Sequence, residues 1–564
     1  MTTTAGQRDP SRRLLINAIA ERAKYAPNHT FMHYPPKDWD ITGYRTITLS
    51  QYAAAVDRVA HWLDNQLGDA SNSETVAYYG PNDPRYAIIV PAVIKTGRRI
   101  LIPDGRNTPE GLQALLLTTS CKVWIYAGDD SRGPSVDEQA VDKIIDLPSV
   151  DWILSTGKQD PYPYNKTFGQ ASHDVIVIIH TSGTTGVPKP IYHTNGMWNA
   201  MGCHESLSIR NWPRGLSHEG WMGTTSLDCC APQWLGGLYC SIFSPVYHNS
   251  PSVLLPANAT SISPALFKKL MSFNIIESIK CPPQTIVTLY EDPETRALLK
   301  SLKAIMFVGA ALDQSIGDDL CNHTILTPLI GSTETGDQVS VRPSDRKLWY
   351  THSFVPEIGS KMVRIESADG TPSDLHEAII ERPDDGKENV FQPALWNPAF
   401  KDLDRIETKE LYRPITDLDG STRWVFSGRK DDLTKLSWLA KFHATDIETR
   451  IQKHPDVTSV VVGGEGRPAP YVVIELKAGV LDCKSAEQVL EDVYASAIAK
   501  TNDVDIKEIR IPKETVFLAK KDKPFRRNLK QVVQRKGVEE DYRKEIEQAY
   551  LQLEKVQANT VTSK

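Results

Sequence analysis

At 564 residues the chain is too long for one core, so more than one domain is expected. Hydrophobic residues make up 40% and charged residues 24%, and the formal net charge of −6 gives no reason to expect nucleic acid or an anionic membrane as partner. No apolar run approaches the roughly 20 residues of a membrane-spanning helix, Met1-Thr2-Thr3-Thr4 opens no basic-then-apolar leader, and a cytoplasmic location is expected. The cysteines at 121, 203, 229, 230, 240, 281, 321 and 483 form no Cys-x-x-Cys pair and no zinc spacing, and are expected to be reduced, half-buried thiols.

In chain order, residues 12–27 suit an amphipathic helix with Leu14, Leu15, Ala18 and Ile19 on one side. Ile47 to Leu67 reads as a strand end followed by a helix capped near Ser50. Strands are expected at 75–79, 100–102, 123–126, 175–179, 253–255 and 304–308, with a packed helix over 83–96. Strands alternating with helices imply a largely parallel sheet and an α/β class. From about 408 short strands, turn signals such as Asp419-Gly420 and charge clusters indicate a smaller α+β module, with strands at 457–462 and 471–476 and a charged helix over 538–555. The boundary is placed at about 430, giving domains 1–429 and 430–564.

The β-branched run Val175-Ile176-Val177-Ile178-Ile179 leads into Thr181-Ser182-Gly183-Thr184-Thr185-Gly186-Val187-Pro188-Lys189. Glycines let backbone N–H groups approach an anion, hydroxyls add donors, and Lys189 adds a mobile positive charge. This pattern points to bound phosphate, yet it is not the Walker arrangement, because no Gly-Lys-Ser/Thr closes it.

The nonapeptide resembles the phosphate loop of the adenylate-forming superfamily, whose members include acyl-CoA ligases and the adenylation domains of non-ribosomal peptide synthetases. Other segments extend the resemblance over essentially the whole chain. Gly331-Ser332-Thr333-Glu334-Thr335-Gly336 resembles the loop that edges the nucleotide, which implies Glu334 as a Mg²⁺ ligand and places Thr333 beside it in the catalytic set. Gly309-Ala310-Ala311 resembles the segment whose backbone lies along adenine. Tyr412-Arg413-Pro414-Ile415-Thr416-Asp417 looks like Tyr-Arg-Thr-Gly-Asp, which implies Asp417 as the ribose acceptor. Gly428-Arg429-Lys430-Asp431 resembles the hinge, with Asp431 as pivot and Arg429 near ribose and phosphate. Asp522-Lys523-Pro524-Phe525-Arg526-Arg527 resembles Gly-Lys-Ile-Leu-Arg-Arg and implies Lys523 as the adenylation lysine, with Lys520 and Lys521 as competitors. The fold so implied is a large domain of mostly parallel sheets plus a small mobile α+β domain.

Within the superfamily the chain is most similar to fungal synthetase-like enzymes and adenylate-forming reductases. Pro190 after Lys189, the segment Tyr79 to Tyr86, and Arg106-Asn107 with Leu115-Leu116 carry that likeness. The resemblance implies ATP and Mg²⁺ as cofactors, a small carboxylic acid as substrate, and a thiol acceptor, either CoA or the phosphopantetheine of a separate carrier protein, in secondary metabolism. Neither a carrier segment nor a reductase opening is found in the sequence. Two departures bear on this. Trp438-Leu439-Ala440 stands where the family's post-hinge loop holds a glycine, which motivates an amide- or ester-forming ligase as a rival. Asp522 and Pro524 depart from the lysine motif and motivate a second rival, a non-catalytic nucleotide-binding subunit of a split synthetase. Leu227-Asp228-Cys229-Cys230 replaces the family's aromatic-His element, and Asp228 reads as a loop aspartate, with recognition of a substrate amino group as the alternative.

Overall fold

The computed structural model describes residues 11–70, 74–105, 107–127, 136, 140–157, 159–182, 188–207, 215–257, 259, 261–366, 372–383, 389–430, 433–437, 441–504, 509–527 and 532–562. Arg106, Gly183, Thr184, Thr185, Gly186, Asp431 and Trp438-Leu439-Ala440 lie outside them. The chain divides into two compact units: residues 1–361 with 379–406 and 415–425, and residues 362–378 with 407–414 and 426–564.

Among the described residues the first unit carries two large sheets. One orders its strands as Lys143–Asp146, Cys121–Tyr126, Thr75–Tyr79, Arg99–Leu101, Val175–Ser182 and Pro188–Thr194, parallel except for the last pair. The other orders Ile325–Leu329, Ala304–Val308, Ser278–Cys281, Ser226–Asp228, Ser252–Leu254, Thr30–Tyr34 and Arg45–Thr48, parallel except for the last pair. Helices cover both, so these strands read as nearly continuous apolar runs. Ile176, Val177 and Ile179 enter one core, and Leu227, Val253, Ile279 and Ile305 another. The architecture is α/β, as the alternation of strands and helices indicated.

Some local readings shift. The helix expected to be capped near Ser50 begins at Leu49, because Thr48 and Gln51 form a reciprocal capping box. Six of the eight cysteines are buried, Cys229 is half-buried and Cys483 exposed, and all are free. Asp228 is no loop aspartate: it closes a strand and is buried. No described helix is long and apolar enough to cross a membrane.

The second unit holds a sheet of Val457–Gly463, Tyr471–Leu476 and Val516–Leu518, backed by the helices Ala444–Gln452 and Ala486–Val493. The expected C-terminal helix is two helices, Arg535–Asp541 and Arg543–Thr562, which break at Tyr542. Tyr542, Ile546 and Tyr550 pack with Val473 and Phe525, and the Tyr550 hydroxyl donates to the Ala469 carbonyl at 2.7 Å.

One packing contact bears directly on the site. The helix Asn195–Gly202, capped by Thr194, lies so close to Trp396 that a Cβ on Gly196 would stand 2.1 Å from the indole. The Thr194 hydroxyl donates to the Trp396 carbonyl at 2.9 Å, fixing the segment that presents Asn397. Gly196→Ala is therefore expected to overpack this junction by about 1–3 kcal/mol and lower the melting temperature. An unchanged melting curve would show that the helix can slide away from Trp396.

Candidate active site

Pairing of Val175–Ser182 with Pro188–Thr194 sets Thr181 opposite Lys189 and Ser182 opposite Pro188. The chain between them is the glycine- and threonine-rich stretch. Thr181 is half-buried and Lys189 exposed. Next to Thr181, the His180 Nε2 accepts from the Asp104 backbone N–H at 2.9 Å and lies 3.1 Å from the Asn107 amide nitrogen. That end of the strand is thereby tied to the segment that follows Arg99–Leu101.

The Gly331–Gly336 loop is a tight hairpin, with Gly331–Ser332 antiparallel to Gly336–Asp337. Gly336 sits at φ +67°, and a Cβ there would lie 2.6 Å from Pro393, so glycine is required. Every carbonyl from Thr333 to Thr335 is held. His193 Nε2 donates to the Thr333 carbonyl at 2.7 Å, Asn397 to that of Glu334 at 2.7 Å, and Gln338 to that of Thr335 at 3.2 Å. The Trp198 indole donates to His193 Nδ1 at 3.2 Å, which fixes the ring as the neutral Nε2–H tautomer. Burial holds His193 down at about 4, against a partial upward pull from the Thr333 bond. Ser332 Oγ is taken by the Thr335 backbone N–H and hydroxyl at 3.1 and 2.9 Å.

In contrast, the half-buried side chains of Thr333 and Glu334 make no hydrogen bond or ion pair among the described residues. A fixed, unpaired carboxylate beside a free hydroxyl suits a hard cation. No cluster of three potential protein ligands occurs among the described residues. Such a cation would keep water or phosphate oxygens, as Mg²⁺ does. Gly309, Ala310 and Ala311 are all exposed at the carboxyl end of Ala304–Val308, and Gly309, at φ +96°, has open space where a Cβ would sit. A flat ring can lie on that backbone.

Asp417 is placed differently from the expectation. Its side chain is fully buried, and its oxygens accept from Ser344 N–H at 2.9 Å, Leu418 N–H at 2.7 Å, Asp345 N–H at 3.3 Å and the Ser344 hydroxyl. Three of these donors converge on Oδ1 and one on Oδ2, which also faces the Arg423 guanidinium at 3.7 Å. Burial raises its pKa, but those bonds outweigh the effect and hold it at about 2. Asp417 therefore organises a turn and offers no open face to a ribose.

The reading missed a second carboxylate. Lys409 adopts φ +63°, a conformation that favours glycine, and so occupies the glycine place of a Thr-Gly-acid triplet read as Thr408-Lys409-Glu410. Glu410 is half-buried, its pKa raised chiefly by burial; it accepts from the Tyr412 hydroxyl at 3.0 Å and feels the charge of Arg429. The signal available in the sequence was the Thr-x-acid spacing, hidden by lysine in place of glycine.

Lys523 is also engaged. Its ammonium donates to the Asp541 carbonyl at 2.7 Å, pairs with Glu545 at 3.1 Å and lies 4.8 Å from the Tyr542 ring centroid. Lys520 reaches the same Glu545 oxygen at 2.7 Å and is the main cause holding that carboxyl at about 2. Lys521 is exposed and makes no hydrogen bond or ion pair among the described residues. Lys530 lies outside them, midway in the chain between Arg527 and Val533, which are joined by an antiparallel bridge.

The profile of the AMP-binding enzyme family matches residues 19–369, and that of the AMP-binding enzyme C-terminal domain matches residues 431–554. A carboxylic acid reductase of Neurospora crassa is 28% identical over 96% of this chain and 51% of its own length. An isocyanide synthase–NRPS hybrid of Aspergillus fumigatus is 27% identical over 96% of this chain and 33% of its own length. The chain thus spans about half or less of these relatives. Among solved structures, ATP-bound MatB from Rhodopseudomonas palustris superposes with a TM-score of 0.69 at 16% identity, covering 94% of this chain and 99% of that one. An anthranilate CoA ligase in complex with anthranoyl-AMP gives 0.69 at 16%, covering 94% and 98%.

Burial also sets a pH dependence for the first unit. It lowers His193, His204 and His352 to about 4, His218 to about 3, and His248 further, while raising Asp228 to about 6 and Asp337 to about 7. Near pH 5 the unfolded chain protonates these histidines and the folded chain does not, which destabilises the fold. The two carboxyls act oppositely, because the folded chain keeps their protons. The histidines outnumber them, so ~3 protons are taken up on unfolding, each worth about 1.4 kcal/mol per pH unit. The melting temperature is expected to fall from pH 7 to pH 5, and a rise would contradict these assignments.

Proposed function

The chain belongs to the AMP-binding enzyme family, and from that premise we propose that it activates a carboxylic acid with ATP, forming an acyl-adenylate and pyrophosphate. The observation that carries this reading is the Gly331–Gly336 hairpin, whose carbonyls from Thr333 to Thr335 are pinned while the side chains of Glu334 and Thr333 make no hydrogen bond or ion pair among the described residues. A carboxylate oxygen of the acid attacks the α-phosphorus, and the bond to the bridging oxygen of the β-phosphate breaks, so pyrophosphate leaves with the electron pair. Glu334 would hold Mg²⁺ beside Thr333, and the cation supplies neutralising charge to the triphosphate. The exposed backbone of Gly309-Ala310-Ala311 would take the adenine. The loop from Thr181 to Gly186, with Lys189, would take the phosphates. Preorganised donors of this kind stabilise the transition state without reorganising.

For the ribose hydroxyls we favour Glu410, which feels the charge of Arg429, over Asp417, whose side chain is fully buried. Residues 1–429 and 430–564 would act as the adenylating domain and a lid that turns near Asp431 between half-reactions. The acyl group would then pass to a thiol, either CoA or a carrier-bound phosphopantetheine, in secondary metabolism.

The adenylation lysine is proposed to be other than Lys523. Lys523 is tied to Asp541 and Glu545, so Lys530 takes precedence, followed by Lys521. Acid-dependent ATP–pyrophosphate exchange tests both the activity and the assignment. Lys530→Ala is expected to lower exchange by at least ~100-fold, the scale of one lost preorganised donor, at an unchanged melting temperature. Lys523→Ala is expected chiefly to lower the melting temperature. Exchange abolished by Lys523→Ala in a normally melting protein would restore Lys523 to the reaction, and nucleotide binding without exchange for any acid would favour a non-catalytic subunit.

A further inference from the structure

The carboxyl ends of parallel strands, where ligands bind in open α/β sheets, carry a second cluster in the first unit. Register places Asp228 beside Lys280 on adjacent strands, with Ser226, Ser252 and Ser278 one row behind on the same face. The opposite face of these strands is wholly apolar, with Leu227, Val253 and Ile279. Lys280 in turn lies beside Met306 of Ala304–Val308, the strand that leads to Gly309. A single turn of π-helix, Tyr239–Phe243, covers the same region, a local irregularity common at functional sites.

The cluster is buried and incompletely satisfied. Lys280 is 0% and Asp228 4% exposed. Lys280 donates to Ser250 Oγ at 3.3 Å and lies 4.5 Å from the Trp221 ring centroid, but makes no ion pair among the described residues. Asp228 accepts from the Ser252 hydroxyl through Oδ2 and has the Cys240 thiol against it, while its Oδ1 has no hydrogen-bond partner among the described residues. The Trp221 indole N–H and both ring nitrogens of His248, 5.2 Å from Trp221 between centroids, are also without hydrogen-bond partners among the described residues. Buried polar atoms are nearly always hydrogen-bonded in native proteins, so a group from outside the chain is called for here.

We infer that this cluster reads the distal end of the activated acid and selects a carboxylic acid bearing a hydroxyl group. The inference rests on the acid-activating reading above. A hydroxyl can donate to Asp228 Oδ1 and accept from Lys280 at one atom. A substrate ammonium would meet the Lys280 charge, and a second carboxylate would meet that of Asp228. A purely apolar acid would leave both unpaired. Sites built to bond a hydroxyl reject the analogue that lacks it strongly, because their own buried groups then stay unsatisfied.

The test uses the full chain and acids matched in skeleton: 3-hydroxypropionate, propionate, β-alanine and succinate, and 4-hydroxybenzoate, benzoate, 4-aminobenzoate and terephthalate. Pyrophosphate exchange should favour a hydroxy acid over its deoxy partner by at least ~100-fold in kcat/KM. Asp228→Asn and Lys280→Met should bring that ratio below ~10. If either variant melts abnormally, Ser252→Ala, which removes the donor to Asp228, is read in its place. Deoxy, amino or dicarboxylic acids used as well as the hydroxy acids, or a ratio unchanged in the variants, would overturn this inference alone. Silence with every acid while ATP still raises the melting temperature would overturn the acid-activating reading, and this inference with it.

Discussion

The hydrogen bond from His193 to the Thr333 carbonyl is the constraint on which the rest of the site depends. It joins residues 140 apart in the chain and acts with Asn397, which holds the next carbonyl. Trp198 fixes the histidine's tautomer, and the close approach of Gly196 to Trp396 fixes the segment that presents Asn397. One helix, one strand, the Trp396-Asn397 segment and Gln338 are thus used to immobilise three backbone carbonyls. Their purpose is legible in what they leave out: the side chains of Thr333 and Glu334 remain available. Rigid backbone with free side chains is the form a preorganised charge-stabilising site takes.

The second unit uses ionic contacts differently. Glu545, on the C-terminal helix, gathers Lys520 and Lys523, and Tyr542 donates its hydroxyl to the Lys523 carbonyl. A lysine held in this way stiffens the segment around it. Arg526 with Asp541 and Arg527 with Glu475 add to the same effect on the side of the bridge that precedes Lys530.

Much of the fold was legible because it rests on local pattern. The β-branched run at 175–179 and the apolar run at 304–308 are buried strands, and the Gly-Ser-Thr-Glu-Thr-Gly hairpin follows from its own glycines. Legibility ended where a residue's role depends on distant partners. Asp417 and Glu410 both follow a threonine by one or two positions, and only the four donors around Asp417 separate them. Lys409 in a glycine conformation disguises the Thr408-Lys409-Glu410 triplet. Asp228 reads as a loop residue, yet pairing with strand residues 26 and 52 positions away makes it the end of a buried strand. His193 carried no sequence signal, since a lone histidine in a β-branched strand is usually only a core residue.

The account stands or falls on where the acid's oxygen goes. Incubating the chain with ATP, Mg²⁺ and an activated acid labelled with oxygen-18 in its carboxylate, then hydrolysing the product, tests this directly. Attack on the α-phosphorus predicts one labelled oxygen in AMP and none in pyrophosphate. Label in inorganic phosphate, with ADP as the nucleotide product, would mean attack at the γ-phosphorus and would contradict the proposed adenylation.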